Sequence, residues 1–105
     1  MTALLVVLGA AVGAPARLLV SRAVPGERGT LVVNASGSLL VGLFAALPGA
    51  AYALLAVGFC GAFTTFSTFA VEAVTMPRRS RASYVVMSVL LCCVACAVGL
   101  LVGRR

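Results

Sequence analysis

The sequence contains no histidine, lysine or tryptophan, and its only acidic residues are Glu27 and Glu72. Without histidine, the chain lacks the side chain that most often shuttles protons or ligates metals near neutral pH. The scarcity of carboxylates argues against a cation pathway or a proton relay, because both normally need Asp or Glu within the membrane. All the basic residues are arginines, and most lie at the ends of apolar runs, where they anchor helices at a lipid interface. Nothing in this pattern indicates a nucleic-acid partner.

Apolar residues dominate the composition. Of the 105 residues, 63% are hydrophobic and 10% are charged. A soluble domain of this size would need far more polar residues to cover its surface, so the composition predicts an integral membrane protein. The N-terminal run has no basic n-region and continues into further apolar sequence. We therefore interpret it as a first span and not as a cleaved signal peptide.

Four apolar runs are separated by prolines, glycines and arginines. The predicted helices cover residues 3–24, 30–47, 52–75 and 83–102. Each run is close to the roughly 20 residues that cross a hydrocarbon core as a helix, and lipid tolerates no open strand. We expect one all-α domain over residues 1–105 with four transmembrane helices.

The arginines are distributed unevenly between the two ends of the predicted spans. Five follow the first or third span, against two at the C-terminus. They are Arg22, Arg28, Arg78, Arg79 and Arg81, against Arg104 and Arg105. This difference mildly favours termini outside the cell and leaves insertion in both orientations open.

Polar side chains spaced four residues apart follow one face of the second and fourth spans. They are Thr30, Asn34 and Ser38, and then Tyr84, Ser88 and Cys92. Other polar groups within the apolar runs are Arg17, Thr64, Thr65, Ser67 and Thr68. Neutral donors with an arginine nearby suit a small anion. For any single hydroxyl, the alternative to contacting an anion is an interhelical hydrogen bond, which contributes about 0.6–2 kcal/mol to stability.

The third run contains the stretch GFCGAFTTFSTF at residues 58–69. Gly58 and Gly61 weaken a helix, and the Thr-Thr pair is a poor helix former. This stretch predicts a break in the third helix that frees carbonyl groups for an ion, water or a neighbouring helix. Phe66 and Phe69 would share a face beyond the break. Their positive ring edges can solvate an anion weakly, although the spacing alone favours ordinary packing.

Small residues at four-residue spacing occur at Gly9 and Gly13 and again at Ser38 and Gly42. This pattern favours close helix contacts, either between subunits or within one bundle, and both alternatives stay open. A CxxC spacing at Cys93 and Cys96 lies within the last span. We interpret the cysteines as small apolar packing residues.

The stretch GFCGAFTTFSTFAVE closely resembles the signature of the CrcB/Fluc family of fluoride channels, as do GAPAR around Arg17 and GTLVVN ending at Asn34. The resemblance implies a non-enzymatic channel in the cell's inner (plasma) membrane that exports fluoride passively. It also implies an antiparallel dual-topology homodimer, embedded in lipid, with two fluoride pores. A pair of oppositely oriented paralogous subunits is the alternative assembly.

The same resemblance implies roles for individual residues. The pore residues would be Arg17, Thr30, Asn34, Phe66, Ser67, Thr68, Phe69, Tyr84 and Ser88. The backbone carbonyls of Gly61 and Thr64 would hold a structural sodium ion that is not transported. Arg17 would lie near a vestibule and raise the local anion concentration. Cys92 stands where the family has a serine and is a weaker hydrogen-bond donor. Glu72 matches a family acid, with a salt bridge to an arginine as the alternative.

Two other functions remain as alternatives. A small multidrug-resistance-type proton-coupled antiporter has a similar size but needs a carboxylate within its first span. The first span of this chain has none, and its ionisable residue is Arg17. A non-conducting scaffold subunit would use the small-residue motifs for packing, but it leaves the phenylalanines and Asn34 unexplained.

Overall fold

The computed structural model describes residues 2–104, and this part of the chain is helical without strands. The helices are α1 (Thr2–Ala23), α2 (Glu27–Phe44), α3 (Gly49–Tyr52), α4 (Gly61–Phe63), α5 (Phe66–Thr75) and α6 (Arg78–Gly103). A π-helical segment (Ala53–Cys60), called the π segment below, joins α3 directly to α4. The expectation of an all-helical fold is confirmed for the described residues.

Three stretches are long and apolar enough to cross a membrane, and they make the chain a multi-pass membrane protein. They are Thr2–Ala23, Gly49–Thr75 and Arg78–Gly103. The second predicted span corresponds to α2, which has 18 residues but begins with Glu27 and Arg28 and carries a polar face. These residues lower the hydropathy of α2, so a fourth span stays a prediction.

Three of the predicted helices begin at least three residues early, and the third predicted helix begins at Gly49 and not at residue 52. Helix α2 begins at Glu27 and not at residue 30, because Gly26 adopts a φ of 80° and turns the chain directly into the helix. Glycine takes this left-handed conformation without steric cost. Helix α6 begins at Arg78 and not at residue 83, with the extended Pro77 as its N-cap. The arginines that follow Pro77 therefore belong to a helix and not to a loop.

The helices pack as two pairs. Helix α1 lies along the π segment and α4, and α2 lies along α6. A side chain at Gly9 would overlap the backbone of Leu54 and Phe59, and one at Gly42 would overlap the backbone of Cys96. The small-residue motifs of α1 and α2 therefore provide close packing within one chain.

Helix α5 is the least embedded of the longer helices. It contacts α2 and α6 through few residues, and Ala73 is its one buried residue. The side chain of Phe66, at its first position, is 79% exposed. The half of the third span that carries the phenylalanines therefore projects from the packed part of the chain.

Candidate functional site

The break in the third predicted helix lies at Thr64 and Thr65. Both residues are extended, with ψ angles of 161° and 119°, and they separate α4 from α5. The backbone N–H of Thr64 donates to the carbonyl of Cys60 at 3.0 Å, and its hydroxyl donates to the same oxygen at 2.9 Å. The predicted break is confirmed at the Thr-Thr pair, whereas Gly58 and Gly61 remain within the π segment and α4.

Asn34 of α2 holds the break through two hydrogen bonds. Its Nδ2 donates to the carbonyl of Thr65 at 3.0 Å, and the N–H of Thr65 donates to its Oδ1 at 2.8 Å. The side-chain amide thus replaces the peptide groups that Thr65 would meet in a continuous helix. Such replacement is needed because unpaired backbone groups are costly in lipid. The Ser38 hydroxyl donates to the carbonyl of Asn34 at 2.7 Å and extends this polar line along α2.

Thr65 is also the N-cap of α5. Its Oγ1 accepts a hydrogen bond from the N–H of Thr68 at 3.2 Å and donates to the Thr68 hydroxyl at 3.1 Å. The Ser67 hydroxyl lies 3.5 Å from the same oxygen. Thr65 is buried, yet the sequence analysis did not assign it to the site. A threonine directly before a helical run is the usual N-cap signal and could have identified it.

The carbonyls of Gly61 and Thr64 lose their helical donors at the break. In a continuous helix they would accept from the N–H groups of Thr65 and Thr68, but these donate to Asn34 and to the Thr65 hydroxyl. Nη1 of Arg17 donates to the Thr64 carbonyl at 3.4 Å. Gly61 is exposed, and no atom lies within 4 Å of the position that a Cβ would take there.

A cavity of about 420 Å³ lies beside the break. Its wall combines residues of α2, α5 and α6 with the two threonines of the break. The lining residues are Asn34, Ser38, Val41, Thr64, Thr65, Phe66, Phe69, Ser88, Val89, Cys92, Cys93 and Cys96. None of them is charged. The buried Oγ of Ser88 has no hydrogen-bond partner among the described residues, so this wall has an unused hydroxyl.

Three aromatic rings continue from the cavity towards the arginine-rich end of α6. The ring centroids of Phe66 and Phe69 are 6.1 Å apart, and those of Phe69 and Tyr84 are 5.3 Å apart. The Tyr84 hydroxyl donates to Oε1 of Glu72 at 3.2 Å. The buried Thr30 lies beside Tyr84. Glu72 therefore pairs with a phenol, and within residues 2–104 it forms no salt bridge with an arginine.

Arg81 ties α5 to α6. Its guanidinium donates to three carbonyls at the C-terminal end of α5, those of Ala73, Val74 and Met76, at 2.9, 2.9 and 3.3 Å. A cation at this end of a helix satisfies free carbonyls and complements the helix dipole. The sequence analysis had treated this arginine only as an orientation signal.

Residues 4–100 match the protein family described as "CrcB-like protein, Camphor Resistance (CrcB)". The chain belongs to the CrcB family. The resemblance inferred from the sequence motifs is thereby confirmed.

Curated relatives of this CrcB chain carry one shared description. A "Fluoride-specific ion channel FluC 2" of Rhodococcus jostii is 48% identical over 99 residues, covering 85% of this chain and 87% of the relative. A "Fluoride-specific ion channel FluC 1" of the same organism is 42% identical over 103 residues, covering 95% and 83%. A "Fluoride-specific ion channel FluC" of Rhodospirillum rubrum is 34% identical over 119 residues, covering 99% and 92%.

The structure of the CrcB chain brings some of the predicted site residues together and separates others. Asn34, Phe66, Phe69, Ser88 and Thr64 line the cavity. Thr30 and Tyr84 lie beyond it, next to the aromatic rings. Ser67 and Thr68 are exposed on the first turn of α5, and Arg17 reaches the break from α1. Of the cysteines, Cys92, Cys93 and Cys96 line the cavity, whereas Cys60 is fully buried.

Proposed function

We propose that this chain forms a fluoride-selective channel that lets fluoride leave the cell passively through the plasma membrane. The observation that carries the proposal is the uncharged cavity beside the helix break, whose lining combines amide and hydroxyl groups with two phenylalanines. Family membership and the names of the relatives support it. The function requires no covalent chemistry.

The cavity suits a small anion that accepts strong hydrogen bonds. Asn34 has a second amide N–H beyond the one that donates to Thr65, Ser88 has a free hydroxyl, and the lining has no carboxylate that would repel an anion. Ring edges of Phe66 and Phe69 can solvate fluoride weakly, which keeps binding loose enough for release. Donors at close range replace part of the water shell of fluoride, whereas chloride accepts weaker hydrogen bonds and gains less from the same donors.

The direction of the α5 helix dipole reinforces the preference for an anion. Helix α5 begins at Phe66, next to the cavity, so its first-turn N–H groups and positive dipole end face the proposed path. Thr65 occupies the cap position and leaves further N–H groups of that turn available. Ser67 and Thr68 lie on the same turn and add hydroxyls to it.

The assembly that we propose is an antiparallel dual-topology homodimer with four spans per subunit. Helix α5 has few contacts within its own chain, and Phe66 is largely exposed, so a second subunit is needed to enclose the path. The exposed valines Val71 and Val74 give α5 an apolar face for such a contact. An oppositely oriented paralogous subunit is the alternative partner.

The residues at the break fit the structural sodium ion that the family resemblance implies. Gly61 and Thr64 have carbonyls that the break releases from helical pairing, and oxygen ligands of this kind suit a hard cation. When bound, the ion would supply positive charge that holds the C-terminal end of α4 in place. Arg17 supplies positive charge to the same Thr64 carbonyl within one chain. We propose that this anchoring, as well as attraction of anions, is the role of Arg17.

Fluoride efflux from proteoliposomes, followed with a fluoride electrode, tests the proposed function. Purified wild-type protein and the Phe66→Ile variant are compared under identical chloride and sodium concentrations. We expect rapid efflux for the wild type and a collapse of efflux for Phe66→Ile, because isoleucine fills space but has no positive ring edge. Wild-type efflux no faster than that of empty liposomes would contradict a channel made by this chain alone.

A further inference from the structure

One wall of the cavity carries three thiols from consecutive turns of α6. Cys92, Cys93 and Cys96 all line the cavity, and all are free. Cys93 is exposed, and Cys92 and Cys96 are half-buried. Cys60, by contrast, is completely buried in the π segment and does not reach the cavity. The chain therefore has three accessible thiols on one wall and one inaccessible thiol elsewhere.

We propose that the thiols of Cys92 and Cys96 form a binding site for a soft monovalent metal cation such as Ag⁺ or Cu⁺, with Cys93 as a third thiol on the same wall, and that the bound ion blocks the cavity. Thiolate sulfur selects soft metals of this class. Cys92 and Cys96 lie one helical turn apart on the same face of α6, with Cβ atoms separated by about 5–6 Å. Two sulfurs in this arrangement can reach a single ion from the same wall.

The number of ligands available narrows the choice of metal. Within residues 2–104, no group of three or more histidine, cysteine or acidic side chains converges closely enough to hold a metal ion. A tetrahedral zinc site needs four such ligands, or three with an open position, and is therefore excluded here. A metal ion with linear coordination needs only one or two sulfur ligands.

Binding needs no oxidant or reductant. Each participating thiol releases its proton to solvent, and the sulfur electron pair forms the bond to the metal, whose oxidation state does not change. Cys92 lies one turn from Ser88 on the same face of α6, so the ion would occupy the space in front of the free Ser88 hydroxyl. A cation held there obstructs the cavity and blocks access to the Ser88 hydroxyl.

The inhibition of flux rests on the proposed channel function, whereas the metal binding does not. Fluoride efflux is therefore measured in chloride-free medium with and without silver nitrate. We expect micromolar Ag⁺ to slow wild-type efflux and dithiothreitol to restore it. The triple variant Cys92→Ser, Cys93→Ser, Cys96→Ser should need at least about tenfold more Ag⁺ for the same fractional inhibition of its own metal-free rate. Cys60→Ala, the matched control, should remain as sensitive as the wild type.

Intact-protein mass spectrometry after Ag⁺ exposure supplies a readout that is independent of transport. We expect Ag⁺ adducts on the wild type and on Cys60→Ala but not on the triple variant. Adducts that persist on the triple variant, or uninhibited wild-type efflux, would overturn the proposal. If the wild type shows no efflux even without Ag⁺, the channel function fails, and the adduct pattern still decides whether the thiols bind the metal. Each single cysteine variant is also measured, in case the triple variant does not fold.

Discussion

The side-chain amide of Asn34 and the backbone of Thr65 form a reciprocal pair of hydrogen bonds at 3.0 and 2.8 Å across 31 positions of sequence. The pair joins α2 to the break between α4 and α5. It satisfies both backbone groups of a residue that lies outside any helix. The geometry of the break therefore depends on one side chain of another helix.

Replacing Asn34 with alanine should destabilise the protein, because the N–H and the carbonyl of Thr65 lose their partners. Each unpaired buried group costs about 1–3 kcal/mol. Thermal unfolding in detergent, followed by far-ultraviolet circular dichroism, measures the loss. Ser36→Ala is the matched control, since the Ser36 hydroxyl bonds only to carbonyls of its own helix. Equal unfolding temperatures for the two variants would contradict the anchoring role of Asn34.

The N-cap of α5 predicts a difference between two substitutions of Thr65. Thr65→Val removes the oxygen that accepts from the Thr68 N–H and should cost about 1 kcal/mol, whereas Thr65→Ser keeps the cap. Amide hydrogen exchange should show faster exchange at the start of α5 in Thr65→Val only. Unchanged protection in that variant would mean that the cap contributes nothing to the order of α5.

The close contact between α1 and the π segment predicts that Gly9→Ala is poorly tolerated. The added methyl group would meet the backbone of Leu54 and Phe59, which cannot move as a side chain can. Overpacking of this kind costs about 1–3 kcal/mol. Gly49→Ala is the control, because no atom lies within 4 Å of the new methyl group. Unfolding temperatures of both variants test the contact, and a Gly9→Ala protein as stable as Gly49→Ala would refute it.

Arg81 should contribute more to stability than Arg78, although both lie in the first turn of α6. Arg81→Ala removes three charge-assisted hydrogen bonds to the end of α5 and should cost about 1.5–3 kcal/mol. Arg81→Lys should be intermediate, because one ammonium group cannot span the three carbonyls as a guanidinium does. Arg78→Ala serves as the control, since Arg78 is exposed and its side chain has no hydrogen bond within residues 2–104. Chemical denaturation in detergent ranks the four proteins.

Local sequence signals identified the features that depend on local chemistry. The helix break follows from poor helix formers at Thr64 and Thr65, and the helical fold follows from the apolar runs. The partner of the break could not be predicted in the same way, because Asn34 lies far away in sequence. Its place in an i, i+4 polar stripe indicated a shared face but not what that face contacts.

Two further features depend on tertiary contacts. The π segment has the sequence ALLAVGFC, an apolar run that contains no local signal for a π-helix. It lies against Gly9 and Gly13 of α1. Glu72 lies close in sequence to several arginines, yet its partner is Tyr84, which the turn at Pro77 brings back beside α5. In both cases neighbouring sequence was a poor guide, because another helix determines the contact.

Because α5 makes few contacts within its own chain, the order of the proposed path should depend on the concentration of subunits. A helix with one buried residue gains little free energy from its own chain, so its order should depend on what binds to it. For an oligomer, that contribution grows with the concentration of subunits in the membrane. Diluting the protein with lipid should therefore loosen α5 before it loosens the pairs formed by α1 with the π segment and by α2 with α6.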